Sequence, residues 1–97
     1  MFAFVFNVRP TSANPDVLSI KRGFATVFVT ADRIEDARQK AVQRIQSDNL
    51  EALEMETGDE VTIEQLGTSE LAALFRTAQS RGTSILKTFS CVNGRRN

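Results

Sequence analysis

Two short segments in the first third of the chain are apolar on both sides, and this feature restricts the fold more than any other. Residues 2–8 and 23–30 are rich in Phe, Val and Ala. Successive side chains of a strand point to opposite faces, so a run that is apolar at nearly every position has two faces to bury. Both segments therefore predict strands whose two faces need covering.

A helix is predicted after the second of these strands, where apolar residues recur at helical spacing. The apolar stripe consists of Ile34, Ala37, Ala41 and Ile45. Asp32 precedes the stripe and Glu35 follows at the spacing of a capping box, so we expect Asp32 to cap the helix. Asn49 tolerates the left-handed backbone conformation in which many helices end, and it marks the expected end of this one.

A second helix and a final strand are predicted in the last third of the chain. Helical spacing of apolar residues is again present, at Leu71, Leu74, Phe75 and Ala78. Gly82 stands where a helix stops, and residues 85–92 form the last predicted strand. We expect the polar residues 93–97 to be a frayed tail.

The segment between the two helices allows two interpretations. Apolar and acidic residues alternate from residue 53 to residue 56, as in a half-buried strand. Gly58-Asp59 suits a tight turn, and residues 61–65 alternate again, so we favour a hairpin. The competing interpretation is one helical turn over residues 62–66, because Thr62 and Gln65 have the spacing of a capping box.

The order of these elements predicts a single α+β domain over residues 1–97, with two layers and a long loop at residues 9–22. With the hairpin, and with the first strand set aside, the order is βαββαβ. That order resembles the ferredoxin-like fold, in which two helices pack on one face of an antiparallel sheet. The whole chain then becomes β-βαββαβ, a two-layer sandwich with an extra N-terminal strand. Without the hairpin, the prediction is a mixed open sheet of order ββαβαβ.

Two helices on one face would leave the other face of the sheet exposed, although its strands carry large apolar side chains there. A patch of this size is unusual on a monomer. We therefore expect a homodimer, formed face to face or by edge pairing, since a specific interface buries about 800 Å² per partner. The alternative is that the loop of residues 9–22 covers this face.

Composition argues against several kinds of catalytic and metal site. The 97 residues include no His and one Cys. Histidine is the usual general base near neutral pH and the commonest metal ligand. A nucleophilic thiol needs a nearby His or cationic group, so we expect Cys91 to be buried and inert. The prediction is a protein that is not an enzyme and that uses no cofactor and no metal.

The charge balance and the N-terminal sequence restrict the partners. Twelve basic and twelve acidic residues give a formal net charge of zero, which argues against nucleic acid as a partner. The apolar run at the N-terminus is too short to cross a membrane or to serve as a signal peptide. We therefore expect a cytoplasmic protein with no membrane partner.

Acidic residues are concentrated between the two predicted helices. Residues 49–67 contain six acids and no base. An acidic hairpin of this kind can dock on a basic partner; the candidate partner-binding residues are Glu54, Glu56, Asp59 and Glu60, together with Arg9. The same acids also suit a solvated face or the protection of a strand edge. A divalent cation held by Asp59 and Glu60 would need further converging oxygen ligands.

Two further groups of residues are weaker candidates. If two sheets enclose an apolar cavity in a dimer, its polar groups would be Asn7, Arg9, Thr26, Thr88 and Ser90. The stripe of Arg33, Lys40 and Arg44 on the first helix fits a phosphate or RNA. However, Asp36 precedes Lys40 by four residues, a spacing at which exposed helices pair their own charges.

The function predicted from these features is a small non-enzymatic protein–protein interaction or accessory module that acts as a homodimer. The alternative is a dimeric α+β-barrel protein that binds or transforms a small apolar molecule. A closed apolar cavity with converging polar groups would favour the alternative. A filled core with an outward apolar or acidic surface would favour the interaction module.

Overall fold

The chain folds into a four-stranded antiparallel sheet with two helices. This computed structural model describes residues 1–15, 17, 20–67 and 69–91, with residues 20, 21, 69, 90 and 91 described by their backbone alone. The elements, in chain order, are β1 (Phe2–Pro10), β2 (Ile20–Val29), α1 (Ile34–Ser47), β3 (Leu50–Glu60), a 3-10 turn (Ile63–Gln65), α2 (Ser69–Arg81) and β4 (Thr83–Cys91).

The sheet has β1 and β2 at its centre and β3 and β4 at its edges, in the order β3-β1-β2-β4. The predicted α+β class is confirmed. The ferredoxin-like topology with an extra strand is not confirmed, because the described chain has four strands and their order differs. The element order ββαβαβ is that of the alternative prediction. All neighbouring strands in the described sheet are nevertheless antiparallel, so the sheet is not mixed.

The predicted hairpin is wrong. β3 continues through the expected turn, with Gly58 paired to Phe4 of β1. A Cβ atom on Gly58 would lie 2.7 Å from Cδ1 of Phe4, so this glycine makes room for the aromatic ring instead of forming a turn. The competing helical turn is confirmed: Thr62 and Gln65 form the capping box, and the Thr62 amide donates to Gln65 Oε1 at 2.7 Å.

Both predicted helices are confirmed, although the start of α1 differs from the prediction. The residue that caps α1 is Arg33, without a side-chain capping hydrogen bond, and Asp32 lies outside the helix. Asn49 has φ 60°, the left-handed conformation expected at the end of this helix. Gly82 has φ 95° directly after α2, again as the sequence predicts.

The two helices lie on opposite faces of the sheet, so the expectation that they share one face is wrong. On one face, Phe4 and Val27 belong to a buried cluster with three residues of α1, namely Ala37, Ala41 and Ile45. On the other face, Phe28 meets Phe75 of α2 edge-on, with ring centroids 6.5 Å apart. Adjacent residues of β2 point to opposite faces, and each face packs against a different helix.

The α2 helix covers only one end of its face. It lies over β2 and β4, where Ser84 Oγ donates to the Leu74 carbonyl oxygen at 2.6 Å. Beyond that end, two cross-strand rows run from β3 to β4: Thr57, Val5, Thr26 and Leu86, then Glu54, Asn7, Phe24 and Thr88. We call these two rows the open half-face. Phe24 is 48% exposed at its centre.

The connection between β1 and β2 is shorter than the predicted loop of residues 9–22, since the strands extend to Pro10 and from Ile20. Its described part attaches to the turn between α1 and β3. The Thr11 amide and Asn14 Nδ2 both donate to the Asn49 carbonyl oxygen, at 3.0 and 3.1 Å. Asp16, Leu18, Ser19 and the predicted tail of residues 93–97 lie outside the described residues.

Candidate functional site

A groove between α1 and the edge strand β3 is the main candidate for a binding site. It has a volume of about 700 Å³, and a smaller apolar recess of about 210 Å³ adjoins it. The apolar residues that line the groove and its recess are Phe4, Phe6, Ile34, Val42, Leu53 and Met55. Phe4 and Phe6 are buried core residues, so they form a fixed floor. We call this feature the α1–β3 groove.

Most of the exposed apolar surface lies at this groove. Four large apolar side chains are exposed in the described part of the chain, and three of them line it: Ile34 (42%), Leu53 (37%) and Met55 (40%). Single exposed apolar residues are normal on a protein surface, whereas a cluster of them marks an interaction site. The fourth, Phe24, lies on the open half-face on the other side of the sheet.

Two irregularities in β3 shape its side of the groove. The register with β1 shifts between Val5 and Phe6 and again between Asn7 and Val8, so β3 uses two more residues than β1 over this stretch. Such bulges bend a strand and increase its twist. Leu53 and Met55 are two residues apart and share a face in a regular strand. The first shift instead places Thr57 on the face opposite Met55, because Thr57 pairs with Val5 and Met55 with Phe6.

On the helical side, Ile34 departs from the sequence prediction. It was expected in the buried stripe of α1 with Ala37, Ala41 and Ile45, and those three are buried. Ile34 is the first residue of the helix and is exposed, and it lines the recess together with Phe4 and Met55. Helical periodicity alone does not show which residue of an apolar stripe remains exposed, so the sequence did not identify this residue of the site.

The five predicted partner-binding residues are placed differently from one another. Arg9 Nε donates to Glu51 Oε1 at 2.6 Å, so this cation is paired within the chain. Asn7 Nδ2 donates to Glu56 at 2.5 Å, and Glu54 stands opposite Asn7 in the sheet. Glu54 and Glu56 are exposed residues of β3, a strand with five acids and no base, whereas Asn7 and Arg9 belong to β1.

The suggested cation site at Asp59 and Glu60 does not form. Asp59 pairs with Ala3 and Glu60 with Phe2, so the two neighbouring carboxylates point to opposite faces of the sheet. Across the residues that the structure describes, no group of three or more acidic or thiol side chains is placed to hold a metal ion.

The polar residues proposed for a dimeric cavity are partly brought together. Asn7, Thr26 and Thr88 lie on the open half-face around Phe24, as the strand register requires. Arg9 lies on the same face but is paired with Glu51. The side chains of Ser90 and of Cys91 are outside the described residues, so the expectation of a buried thiol stays a prediction.

The basic stripe on α1 is largely paired with acids. Arg33 lies 4.0 Å from Asp36, and Arg44 lies 3.9 Å from Asp48. Lys87 of β4 also reaches Asp48, with 2.9 Å between Nζ and Oδ2. Asp36 is thus seen with Arg33 instead of the expected Lys40, and this stripe is a weaker anion site than its sequence indicates.

No family model, curated protein or solved structure matches this chain. Within the described ranges, neither helix has the length and apolar character needed to cross a membrane.

Proposed function

We propose that this protein is a small non-enzymatic protein–protein interaction module that acts as a homodimer. The observation that carries the proposal is the clustering of exposed Ile34, Leu53 and Met55 along one groove with a buried aromatic floor. Apolar surface in water is unfavourable, and burying it is the main driving force for most protein association. A groove of this kind is thus suited to a partner that removes it from water.

The edge strand β4 supports the dimeric part of the proposal. Its sequence, TSILKTFSC, contains one charged residue, Lys87, and that side chain is held by Asp48 of the same chain. Strand edges that lack protecting charges, prolines and bulges are templates for pairing with another strand. Two copies related by a two-fold axis would pair β4 with β4 antiparallel, and so join both sheets into one.

Size-exclusion chromatography with light scattering tests the dimer at tens of micromolar protein. We expect a mass near twice 10.8 kDa. Thr88→Lys places a charge on β4 and should yield a folded monomer. Thr57→Lys, an exposed threonine on the opposite edge strand, is the matched control and should remain dimeric. A wild-type monomer, or equal loss of the dimer in both variants, would overturn pairing through β4.

One observation favours the alternative, a dimeric protein that binds a small apolar molecule. Asn7, Thr26 and Thr88 surround Phe24 on the open half-face, so two half-faces packed together would enclose an apolar centre with polar groups around it. This arrangement is typical of small-molecule sites. It requires face-to-face packing, whereas pairing through β4 leaves both half-faces open.

Native mass spectrometry of the protein purified from its own host separates the two functions. A dimer with additional small-molecule mass, lost in Phe24→Ser, would establish the alternative. A retained second protein that is lost in Met55→Gln but kept in Phe24→Ser would establish the interaction module. Retention of the second protein in both variants would mean that the α1–β3 groove is not its binding site.

A further inference from the structure

We infer that the open half-face binds an amphipathic helix of a partner protein, with an apolar residue of that helix over Phe24 and basic residues beside Glu54 and Glu56. This inference goes beyond the proposed function, which rests on the α1–β3 groove on the opposite side of the sheet. Pairing through β4 would leave the open half-face accessible in both copies of the dimer. The arrangement of its side chains, its size and its charge support the inference.

The open half-face repeats the row of side chains that α2 contacts. That row, read across the strands, consists of Asp59, Ala3, Phe28 and Ser84. The second row of the open half-face consists of Glu54, Asn7, Phe24 and Thr88. Each row thus holds an acid from β3, a short side chain from β1, a phenylalanine from β2 and a hydroxyl from β4, so the surface that receives α2 has a second, uncovered counterpart.

The contacts of α2 show how a helix uses such a row. Phe75 of α2 packs edge-on against Phe28, and Ser84 Oγ donates to a carbonyl oxygen of α2 at 2.6 Å. The corresponding Phe24 is 48% exposed, and Thr88 is also exposed. An apolar side chain over Phe24 would remove this ring from water, which favours association. The Thr88 hydroxyl would then lie where it can donate to the backbone of the bound helix.

The spacing along β2 leaves room for a second helix. Phe24 and Phe28 lie on the same face and are four residues apart, which corresponds to about 13 Å along a strand. A helix with its side chains is about 10 Å across, and the axes of packed helices lie about 8–10 Å apart. A helix over Phe24 therefore fits beside the part of α2 that packs on Phe28.

The charges on this side of the sheet favour a basic partner. Glu56 accepts a hydrogen bond from Asn7, and Arg9 is held by Glu51. Apart from the Arg9–Glu51 pair, the described strands carry three acids and one base on this side: Glu54, Glu56, Asp59 and Arg22. The acids all belong to β3, whereas the base lies one row beyond Phe24. Lys or Arg residues that face β3 would thus meet opposite charge.

The same charges disfavour a second copy of the chain as the occupant. Two open half-faces packed together would bring two surfaces of the same net charge into contact, and like charges across an interface weaken it. A helix whose basic residues face β3 meets no such repulsion. We therefore assign the open half-face to a different protein and not to a second copy.

A synthetic peptide added to the whole chain tests the inference. It has about 18 residues, because shorter helices are marginal in water. It carries Leu, Leu, Phe and Ala at i, i+3, i+4 and i+7, the apolar spacing of α2, with Lys beside this stripe. We expect amide chemical shifts of the labelled protein to change at Val5, Phe24, Thr26 and Thr88 during titration. A scrambled peptide, and one with Glu in place of Lys, should bind at least about tenfold more weakly.

Two matched variants locate the binding. Phe24→Ser changes a half-exposed side chain, so the fold should survive, and we expect peptide binding to weaken by about tenfold. Met55→Gln removes an exposed apolar side chain of the α1–β3 groove and should bind the peptide like the wild type. Unchanged chemical shifts away from the substituted residue verify the fold of each variant.

A charge exchange tests the contribution of the β3 acids. Glu54→Lys should weaken binding of the Lys peptide by about tenfold and strengthen binding of the Glu peptide. Glu35→Gln changes an exposed acid of α1 on the other side of the sheet, so it is the control and should leave both affinities unchanged. Added salt should weaken binding of the Lys peptide to the wild type.

Several outcomes would overturn the inference. These are no shift changes on the open half-face, equal binding of the Lys and Glu peptides, or unchanged binding in Phe24→Ser. Self-association of the protein alone that is lost in Phe24→Ser would identify a second copy as the occupant, and a co-purified small molecule lost in that variant would identify a small-molecule site. A host protein that is lost in Met55→Gln would still establish the proposed interaction module, because that variant changes the other face.

Discussion

The two edge strands of this sheet, β3 and β4, differ in how their outer edges are protected against pairing with another strand. β3 has eleven residues with five acids and two register shifts against its neighbour. β4 has nine residues with one charge, and its register with β2 is regular from Gly23 to Val29. The acids and bulges of β3 are recognised devices against unwanted strand pairing. β4 lacks the acids, and the register shift in its pairing lies at its far end, between Ile20 and Arg22 of β2.

The difference shows that an exposed edge and an exposed apolar cluster are separate properties. β3 is protected along its backbone, yet it presents Leu53 and Met55 beside α1. β4 pairs regularly with β2 from Thr83 to Phe89, and it contributes Leu86 and Thr88 to the open half-face beside Phe24 of β2. One edge is therefore suited to recognition by side chains and the other to pairing of backbones.

The largest expected effect is the loss of stability when a methyl group is added to a glycine next to an edge strand. This loss should differ between Gly23, beside β4, and Gly58, in β3. A Cβ atom on Gly23 would overlap the Thr88 carbonyl oxygen and the Phe89 ring, and backbone cannot move aside cheaply. We expect Gly23→Ala to destabilise the fold by about 3 kcal/mol. Gly58→Ala on the β3 side meets side-chain atoms alone, with Cδ1 of the buried Phe4 ring 2.7 Å away, so we expect a smaller loss of about 2 kcal/mol.

Chemical denaturation of both variants measures the difference, with the slope against denaturant as a check that the transition is unchanged. Equal losses of stability in the two variants would contradict the expectation that the backbone of β4 accommodates an added methyl group less easily than the Phe4 side chain does.

A smaller effect is expected where β3 ends. Thr62 and Gln65 form the capping box that begins the 3-10 turn after this strand. Thr62→Ala removes one capping oxygen and should cost about 1 kcal/mol, while Thr62→Ser should retain most of the stability. Thermal unfolding of the two variants side by side provides the measurement. Similar midpoints for Ala and Ser would show that the cap contributes little to ending β3.

The smallest effects concern the ion pairs at the two edges. Lys87 contacts Asp48, whose side chain is 19% exposed, whereas Arg9 and Glu51 on the β3 side are both about half exposed. We expect Lys87→Ala to lower stability by about 0.6 kcal/mol and Arg9→Ala by about 0.3 kcal/mol. Both losses should shrink at high salt, because screening weakens the wild-type pairs. A larger loss for Arg9→Ala would reverse this ranking.

Local patterns in the sequence predicted the elements well and their arrangement poorly. Helical spacing and Asn49 identified α1, and the capping-box spacing of Thr62 and Gln65 identified the short turn as the second choice. Gly58 was predicted in a turn, but it lies in a strand where the absence of a side chain leaves room for the Phe4 ring. The sequence alone does not distinguish these two uses of glycine. Strand order and helix placement depend on contacts between distant residues, which a single sequence does not display.

The candidate site was predicted only in part for the same reason. The acids of β3 were visible as a charge run, and alternation placed Leu53 and Met55 on a strand. The groove itself exists because α1 packs beside β3. The two register shifts in β3 are a property of its pairing with β1, and no residue type in the sequence indicated them.

The position of β1 and β2 at the centre of the sheet bears on how the chain reaches its native state. These strands are neighbours in sequence, so the core of the sheet can form as a hairpin at a modest loss of chain entropy. Residues 34–60 then add a helix and a strand on one side, and residues 69–91 add another pair on the other side. Only the central pairing is local, because β3 joins Glu60 to Phe2 and β4 joins Thr83 to Val29. We therefore expect the docking of the two edge strands to limit the folding rate.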